Sequence, residues 1–175
     1  MEKFAKTPDQ IAEQLEHWFL DYHDREKSHF TGSEAFTLFH LLPREKQNQI
    51  KKKVRLHKRE KAVLFLSCDR NGCIVNTTER FILLPDLDPG EVPGGMGGVE
   101  VLAYQDFNRH TGFASLFIGE YTDAKQGVKP EGHPPGFGLE KRNGEVLRWS
   151  IPPGRPGLAF WNVTKKCELI GRKYL

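Results

Sequence analysis

The sequence is poor in cysteine: only Cys68, Cys73 and Cys167 occur in 175 residues. An odd and low number of thiols argues against a small secreted domain held together by disulfides. The chain also lacks a run of about 20 apolar residues, the length that a membrane-spanning helix needs. Its first residues, MEKFAKTPDQIAEQ, contain no apolar stretch of the kind found in signal peptides. These absences predict a cytoplasmic protein.

Motifs of the common catalytic sites are missing as well. There is no G-x-S-x-G nucleophile elbow, and the glycine-rich stretch GGMGG at 94–98 lacks the Lys-Ser/Thr that a phosphate-binding loop requires. The sequence contains neither HExxH nor another pair of histidines at zinc-binding spacing. We therefore expect a protein that is not an enzyme and that needs no cofactor.

Positive charge is concentrated in one short segment, residues 51–61 (KKKVRLHKREK), which we call the basic block. It holds seven Lys or Arg and one Glu, a formal charge of +6. Residues 1–50 carry −3 and residues 62–175 are neutral, so the block supplies all the excess of positive charge in the chain. A segment of this kind is typical of a surface that faces an anion.

The first third of the chain has helical periodicity. Thr7-Pro8-Asp9-Gln10 has the pattern of a capped helix start. Apolar residues then recur at helical spacing: Ile11, Leu15, Trp18, Phe19 and Tyr22. The segment 33–42 (SEAFTLFHLL) predicts a second, short helix, and Pro43 can open a third that carries the lysines of the basic block. If the stripe of the first helix finds no partner within the chain, it would mediate homo-oligomerisation.

Residues after 61 have the pattern of β-strands. The segments AVLFLSC, CIVNTT, RFILL, VEVLAYQDF and FASLFIGEYT are short and rich in Val, Ile, Phe and Thr. The segment 137–151 predicts a hairpin that turns at Asn143-Gly144, a dipeptide that accepts positive φ angles. Loops rich in Pro and Gly, at 85–98 and 123–136, separate these strands.

The last part of the chain returns to helical spacing. Phe160, Val163, Cys167 and Ile170 fall on one stripe, which predicts a closing helix that ends at Gly171. Three helices, six or seven strands and one closing helix make an antiparallel barrel or sandwich, with the helix covering its open end.

Cys68 and Cys73 flank a turn at Asn71-Gly72, an arrangement that also occurs in zinc knuckles. A structural zinc site needs four ligands, and here only Cys167 or a recruited histidine such as His110 remains. No spacing in the sequence brings these residues together. We therefore interpret the two cysteines as small strand residues that hold no metal.

Three short motifs follow one another in the second part of the chain. GCIVNTTERFI at 72–82 has the form G-x-[ILV]-V-x-T-x-x-R-[LF]-I, and Tyr104-Gln105-Asp106-Phe107 has the form Y-x-D-[IF]. The hairpin at Asn143-Gly144 then precedes the closing helix. In order and spacing these motifs resemble a bacterial pleckstrin-homology (PH)-like domain over residues 58 to 172. The loops at 85–98 and 123–136 are longer than is usual in that family, and residues 1–50 show no resemblance to it.

The resemblance implies a barrel-like sandwich of two bent antiparallel sheets, capped by the last helix. We therefore expect an α+β fold with a helical N-terminal segment, residues 1–57, and a PH-like β-barrel domain, residues 58–175. PH-like domains are mostly binding modules rather than enzymes. Because their ligands vary widely, the fold by itself does not choose a ligand.

The candidate ligand-binding residues are cationic: Lys51, Lys52, Lys53, Arg55, Lys58, Arg59 and Arg70. Each basic residue near an anionic membrane contributes about 1 kcal/mol, so the block could hold the protein reversibly at a membrane surface. Alternatively, the block is a solvated helix face that pairs with the acidic side of the first helix, formed by Glu13, Glu16, Asp21 and Asp24. Our main hypothesis is a binding or adaptor module that engages a protein partner or an anionic phospholipid surface.

Two other functions fit the sequence. The basic third helix could bind nucleic acid, with an affinity that falls steeply as salt increases. The block lacks interleaved aromatic residues, which disfavours stacking on single strands. A small metal-dependent hydrolase is the other alternative, with a His/Asp site in the N-terminal helices made from His17, Asp21, His23 and Asp24.

Overall fold

A computed structural model describes residues 5–25, 35–68, 72–86, 98–117 and 136–175. The helices in these residues are α1 (Pro8–Arg25), α2 (Arg44–Val54), α3 (Arg155–Thr164) and α4 (Cys167–Lys173). The strands are β1 (Phe36–Leu38), β2 (Ala62–Ser67), β3 (Cys73–Thr77), β4 (Arg80–Leu84), β5 (Glu100–Ala103), β6 (Phe107–Thr111), β7 (Gly138–Lys141) and β8 (Val146–Arg148). Helices and antiparallel sheets together make an α+β fold, as predicted. Arg70 and most of the two Pro/Gly loops lie outside the described residues.

The strands form two antiparallel sheets. Strands β1 to β5 make a five-stranded sheet in sequence order, and β6 to β8 make a separate three-stranded sheet. The segments AVLFLSC, CIVNTT and RFILL supply β2, β3 and β4, so these predictions are confirmed. The predicted hairpin is also confirmed: Gly144 has a φ of 90° in the turn between β7 and β8, where an L side chain would be strained.

The larger hydrophobic core lies between one face of the five-stranded sheet, the three-stranded sheet and helices α1, α3 and α4. The helix stripes predicted from the sequence contribute to it: Ile11, Leu15 and Phe19 from α1 are buried, as are Phe160 and Val163 from α3. The apolar stripe of α1 is therefore covered within the chain. Residues from both sides of the predicted boundary at 57/58 take part in this core.

A smaller core lies on the opposite face of the five-stranded sheet, under α2. Ile50 and Val54 of α2 pack there against Phe65, Val75 and Ile82, which alternate along their strands with residues of the larger core. Both faces of this sheet are therefore apolar, which explains why β3 is buried at all five positions.

The start of α1 follows the sequence pattern. Gln10 accepts a hydrogen bond from the Thr7 backbone N–H at 3.0 Å, and the Gln10 N–H reaches the Thr7 hydroxyl at 3.3 Å. This reciprocal pair satisfies two backbone donors that a helix start would otherwise leave open. The predicted third helix is also present, as α2, and it begins directly after Pro43. None of the described helices is long and apolar enough to cross a bilayer.

The short helix predicted at 33–42 is wrong. Within the described part of this segment, β1 pairs with β2 in the register Phe36↔Leu66 and Leu38↔Leu64, and a 3-10 turn follows at Phe39–Leu41. All three residues of β1 are buried, including the polar Thr37. A strand of three residues is too short for its periodicity to be distinguished from that of a helix.

The strand predicted in FASLFIGEYT is also wrong over the residues that the structure describes. A 3-10 helix occupies Phe113–Phe117, and residues 118–122 lie outside the described ranges. The strand is instead β6, just before it, where Phe107 and His110 are buried and the two residues between them are exposed. A register shift at this point of the ladder removes the strict alternation that would have indicated a strand.

The closing helix is divided in two. Helix α3 ends at Thr164 and α4 begins at Cys167, so the predicted stop at Gly171 is wrong. Gly171 is buried inside α4, where a Cβ atom would lie 1.9 Å from the backbone oxygen of Tyr104. Glycine therefore serves close packing of the helix against the β5–β6 turn, rather than helix termination.

Candidate functional site: the basic block

Helix α2 holds the lysines of the basic block on the surface of the five-stranded sheet. Ile50 and Val54 anchor one face of the helix in the smaller core, and Lys51 and Lys52 are exposed on the other side. The position of the lysines has a local cause, because cations in the last turn complement the negative end of the helix dipole.

The chain leaves α2 through a turn with unusual backbone geometry. Arg55, which ends the helix, has a φ of 38°, and Arg59 has a φ of 78°. The Glu60 N–H donates to the His57 carbonyl at 3.1 Å, which closes the turn around Lys58 and Arg59. The left-handed region costs a side-chain-bearing residue about 1–2 kcal/mol. This turn therefore displays its cations on a strained backbone, a condition that occurs often in binding sites.

A buried ion pair holds the turn in place. The Glu60 side chain is 0% exposed and receives two hydrogen bonds from Arg80 of β4: Nε to Oε1 at 2.8 Å and Nη2 to Oε2 at 3.0 Å. Arg80 Nη2 also donates to the carbonyl of Arg55 at 3.2 Å, and the His57 N–H donates to Glu60 Oε2 at 2.8 Å. Both ends of the turn are thus tied to the sheet.

The pKa of Glu60 shows which effect dominates at this pair. Burial acts to raise the pKa of the carboxyl, but hydrogen bonds from Arg80, Thr77 and the His57 backbone, with the charge of Arg80, outweigh it. The pKa of Glu60 is therefore held below its ordinary value, and the carboxylate is ionised at neutral pH. The ion pair is a fixed part of the turn.

The structure brings six of the seven predicted cations together. Lys51, Lys52, Arg55, Lys58 and Arg59 form no ion pair with any residue in the described ranges, and Lys53 donates to the Asp86 carbonyl at 3.0 Å. Arg70, the seventh, lies outside those ranges. The exposed charges of the block are thus available to an external anion.

The contact between the basic block and α1 is limited. Lys61, the last residue of the block, forms an ion pair with Asp9 in the first turn of α1. Glu16, on the acidic side that was considered as a partner, lies 3.6 Å from His40. Over the described residues, pairing with that acidic side therefore does not account for the five exposed cations.

One group in the described residues has the composition of a metal site: His57, Glu60 and Glu79, with ligand atoms within 4.8 Å of one another. The two Glu60 oxygens already accept from Arg80 and from the His57 N–H, and His57 Nδ1 lies 2.9 Å from Glu79 Oε2. A divalent cation would have to sit beside the Arg80 guanidinium and displace these bonds. The group is better explained as an extension of the ion-pair network.

The histidines and acids of α1 do not belong to this group. His23 is buried, with its ring 4.2 Å from that of Phe19 and its Nδ1 2.8 Å from the Phe19 carbonyl oxygen. His17 is exposed. Two of the four residues considered for a hydrolase site are thus in opposite environments, one inside the core and one in solvent.

The thiols are placed as strand and helix residues. Cys73 belongs to the smaller core and Cys167 to the larger one, and burial raises the pKa of each to about 12. His110 is buried too, with Nε2 2.9 Å from Thr164 Oγ1, and burial lowers its pKa to about 3. Cys73 is a strand residue, as predicted, whereas Cys68 is half-buried just after the end of β2.

Sequence reasoning found the cations but missed the two residues that position them. Glu60 is the only acid in the basic block, and Arg80 lies 20 residues further along, inside the motif that resembles PH-like domains. The available signal for Glu60 was its position as a single acid within a run of cations. Such an acid needs a cationic partner of its own. Nothing in the spacing pointed to Arg80 as that partner.

The predicted resemblance to PH-like domains rests on short motifs spread over residues 58 to 172. The structure places GCIVNTTERFI on β3 and β4, and Tyr104 to Phe107 on the turn into β6. This agrees with an antiparallel arrangement and does not identify a family, so the resemblance stays a prediction. No protein-family model, no curated protein and no solved structure matches the chain.

Proposed function

We propose that this protein is a non-catalytic binding module that attaches reversibly to an anionic phospholipid surface through the basic block. The observation that carries the proposal is the set of exposed cations on α2 and the following turn, which have no ion-pair partner among the described residues. At about 1 kcal/mol for each cation near the membrane, five of them supply about 5 kcal/mol. Attachment of that strength is reversible and sensitive to salt.

The shape of the site supports a surface ligand. Helix α2 packs against the sheet, and the turn behind it is held by the Glu60–Arg80 pair, so the backbone that carries the charges is in place before binding. Such preorganisation lowers the entropy that binding would otherwise cost.

An exposed apolar side chain lies in the 3-10 turn before α2, in which the centre of the Phe39 ring is 5.8 Å from the Lys51 Nζ. Leu41, in the 3-10 turn before α2, is 51% exposed. The Gln47 side chain of α2 donates to the backbone oxygens of His40 and Leu42, which fixes this turn beside the helix. An apolar side chain at the edge of a cationic surface can enter the headgroup region while the cations meet phosphates.

Co-sedimentation with vesicles tests the proposal. We expect binding to phosphatidylcholine vesicles that contain phosphatidylserine, a loss of binding as salt rises, and no binding to pure phosphatidylcholine. The double variant Lys52→Gln/Lys58→Gln should weaken binding about thirtyfold, since it removes two contributions of about 1 kcal/mol.

Lys165→Gln/Lys173→Gln is the matched control, because it removes the same charge from exposed positions at the ends of α3 and α4, outside the basic block. Equal weakening by both double variants would show that only net charge matters and would contradict a site at the basic block. If vesicles are not bound at low salt but duplex DNA is, the block serves nucleic acid. If neither is bound, a protein partner remains.

A further inference from the structure

A cleft of about 370 Å³ lies beside the three-stranded sheet. Its apolar wall is formed by Phe137, Trp149, Ile151 and Pro153. Phe137 and Trp149 flank β7 and β8, and Ile151 follows in the segment that leads to α3. This volume is at the lower end of the range of small-molecule sites, which are mainly apolar with a few polar groups.

The polar groups of the cleft are one cation and two hydroxyls. Arg148 is exposed at its rim, and its Nη1 donates to the Gly136 carbonyl at 2.7 Å, which fixes the guanidinium beside the opening. Arg148 has no ion pair with a residue in the described ranges. Ser115 donates its hydroxyl to the Gly112 carbonyl at 2.7 Å, and Ser150 is exposed.

One acid lies close to this wall. Glu100 of β5 is exposed and accepts a hydrogen bond from the indole N–H of Trp149 at 3.2 Å, and it is not among the residues that line the cleft. Arg148 is the one charged residue among the described residues that line the cleft, so it is the group that would bind an anionic ligand. A planar fork of N–H donors matches the two oxygens of a carboxylate.

We propose that this cleft is a second binding site, for a small monocarboxylate with an aromatic or branched apolar group. The apolar group would lie against Phe137, Trp149 and Ile151, and the carboxylate would pair with Arg148. A single negative charge is expected, because a dianion would leave one charge without a partner beside an apolar wall. Ser150 can donate an additional hydrogen bond to the carboxylate.

This site is separate from the basic block. Its apolar wall belongs to the larger core, whereas α2 covers the other face of the five-stranded sheet. A ligand in the cleft would therefore leave the exposed lysines of α2 free.

The test uses 3-phenylpropionate and its neutral analogue 3-phenylpropionamide, with the indole N–H resonance of Trp149 as the reporter. The resonance is assigned with Trp149→Phe. We expect a saturable shift with the acid and an affinity about tenfold weaker for the amide, since hydrogen bonds to charged groups are worth more than neutral ones. Arg148→Gln should remove the preference for the acid, while the exposed Arg172→Gln should keep it.

A second variant keeps the test decisive if Arg148→Gln perturbs the fold. Ser150→Phe places a ring at an exposed rim position, where it should fill the cleft and abolish binding of both probes. Lys52→Gln/Lys58→Gln should bind the acid as the wild type does, which separates this site from the membrane proposal. Absence of a saturable Trp149 shift, equal affinity for acid and amide, or unchanged preference in Arg148→Gln would each overturn the proposal.

Discussion

Replacing Arg80 with Met should strongly destabilise the protein at neutral pH. The substitution removes both hydrogen bonds to the Glu60 carboxylate, at 2.8 and 3.0 Å, and the bond to the Arg55 carbonyl at 3.2 Å. The Glu60 side chain is 0% exposed, so its charge would remain buried without an oppositely charged partner. Breaking a buried ion pair in this way costs about 3–5 kcal/mol. That is a large part of the stability of an ordinary domain, about 5–15 kcal/mol.

The loss of stability in Arg80→Met should depend on pH. In the wild type the pKa of Glu60 lies below its ordinary value, so its contribution to stability is complete above the unfolded pKa. That contribution is lost as the pH falls through the folded pKa. In Arg80→Met, the effect of burial on the pKa of Glu60 is no longer offset by Arg80. The buried carboxyl can then become neutral by taking up a proton. The difference in unfolding free energy between wild type and variant should therefore begin to narrow above about pH 4.3, the ordinary pKa of Glu, as Glu60 is protonated in the folded variant. It should narrow further below about pH 4.3, as the wild type loses the contribution of its ion pair.

Urea unfolding followed by tryptophan fluorescence at pH 7 and pH 4 measures both effects. The double variant Glu60→Leu/Arg80→Met provides the control, because replacing a whole buried ion pair by apolar residues is often neutral. We expect it to recover most of the stability lost in Arg80→Met. A loss below about 1 kcal/mol in the single variant, the range of an exposed pair, would refute the reasoning. So would a double variant less stable than the single one.

Three further predictions concern packing, backbone geometry and thiol chemistry. Gly171→Ala should destabilise the protein by about 1–3 kcal/mol, because the added methyl group overpacks against the Tyr104 backbone, although alanine normally favours a helix. Thermal unfolding measures this loss of stability. Arg59→Gly should raise stability by about 1 kcal/mol in urea unfolding, since glycine accepts a φ of 78°, while weakening vesicle binding. A thiol reagent at pH 8 should label at most the half-buried Cys68 in the folded protein and all three cysteines in urea, because burial raises the pKa of the other two to about 12.

Local patterns that depend on a few neighbouring residues could be predicted from the sequence. The reciprocal bonds of Thr7 and Gln10 and the turn at Asn143-Gly144 are of this kind, since each is decided by side chains within four residues. The buried stripe of the closing helices was also predictable, because Phe160 and Ile170 are both 0% exposed at helical spacing.

Features set by distant contacts could not be predicted in this way. The strand β1 exists because Phe36 to Leu38 pair with the edge of β2, about thirty residues away. The role of Gly171 depends on Tyr104 from another part of the chain. In the basic block, the run of cations was visible from composition alone. Its fixed geometry comes from Arg80 across the turn and from two arginines with positive φ, which no periodicity reveals.

The layer formed by α2 has a consequence for how this chain can vary. Two apolar anchors, Ile50 and Val54, attach the helix to the sheet, whereas its outward residues Asn48, Gln49 and Lys52 are exposed. Exchanging those outward residues would alter the electric field above this face and leave the packed volume unchanged. Proteins that share this architecture can therefore differ widely in the ligands that this face attracts, while their melting temperatures remain similar.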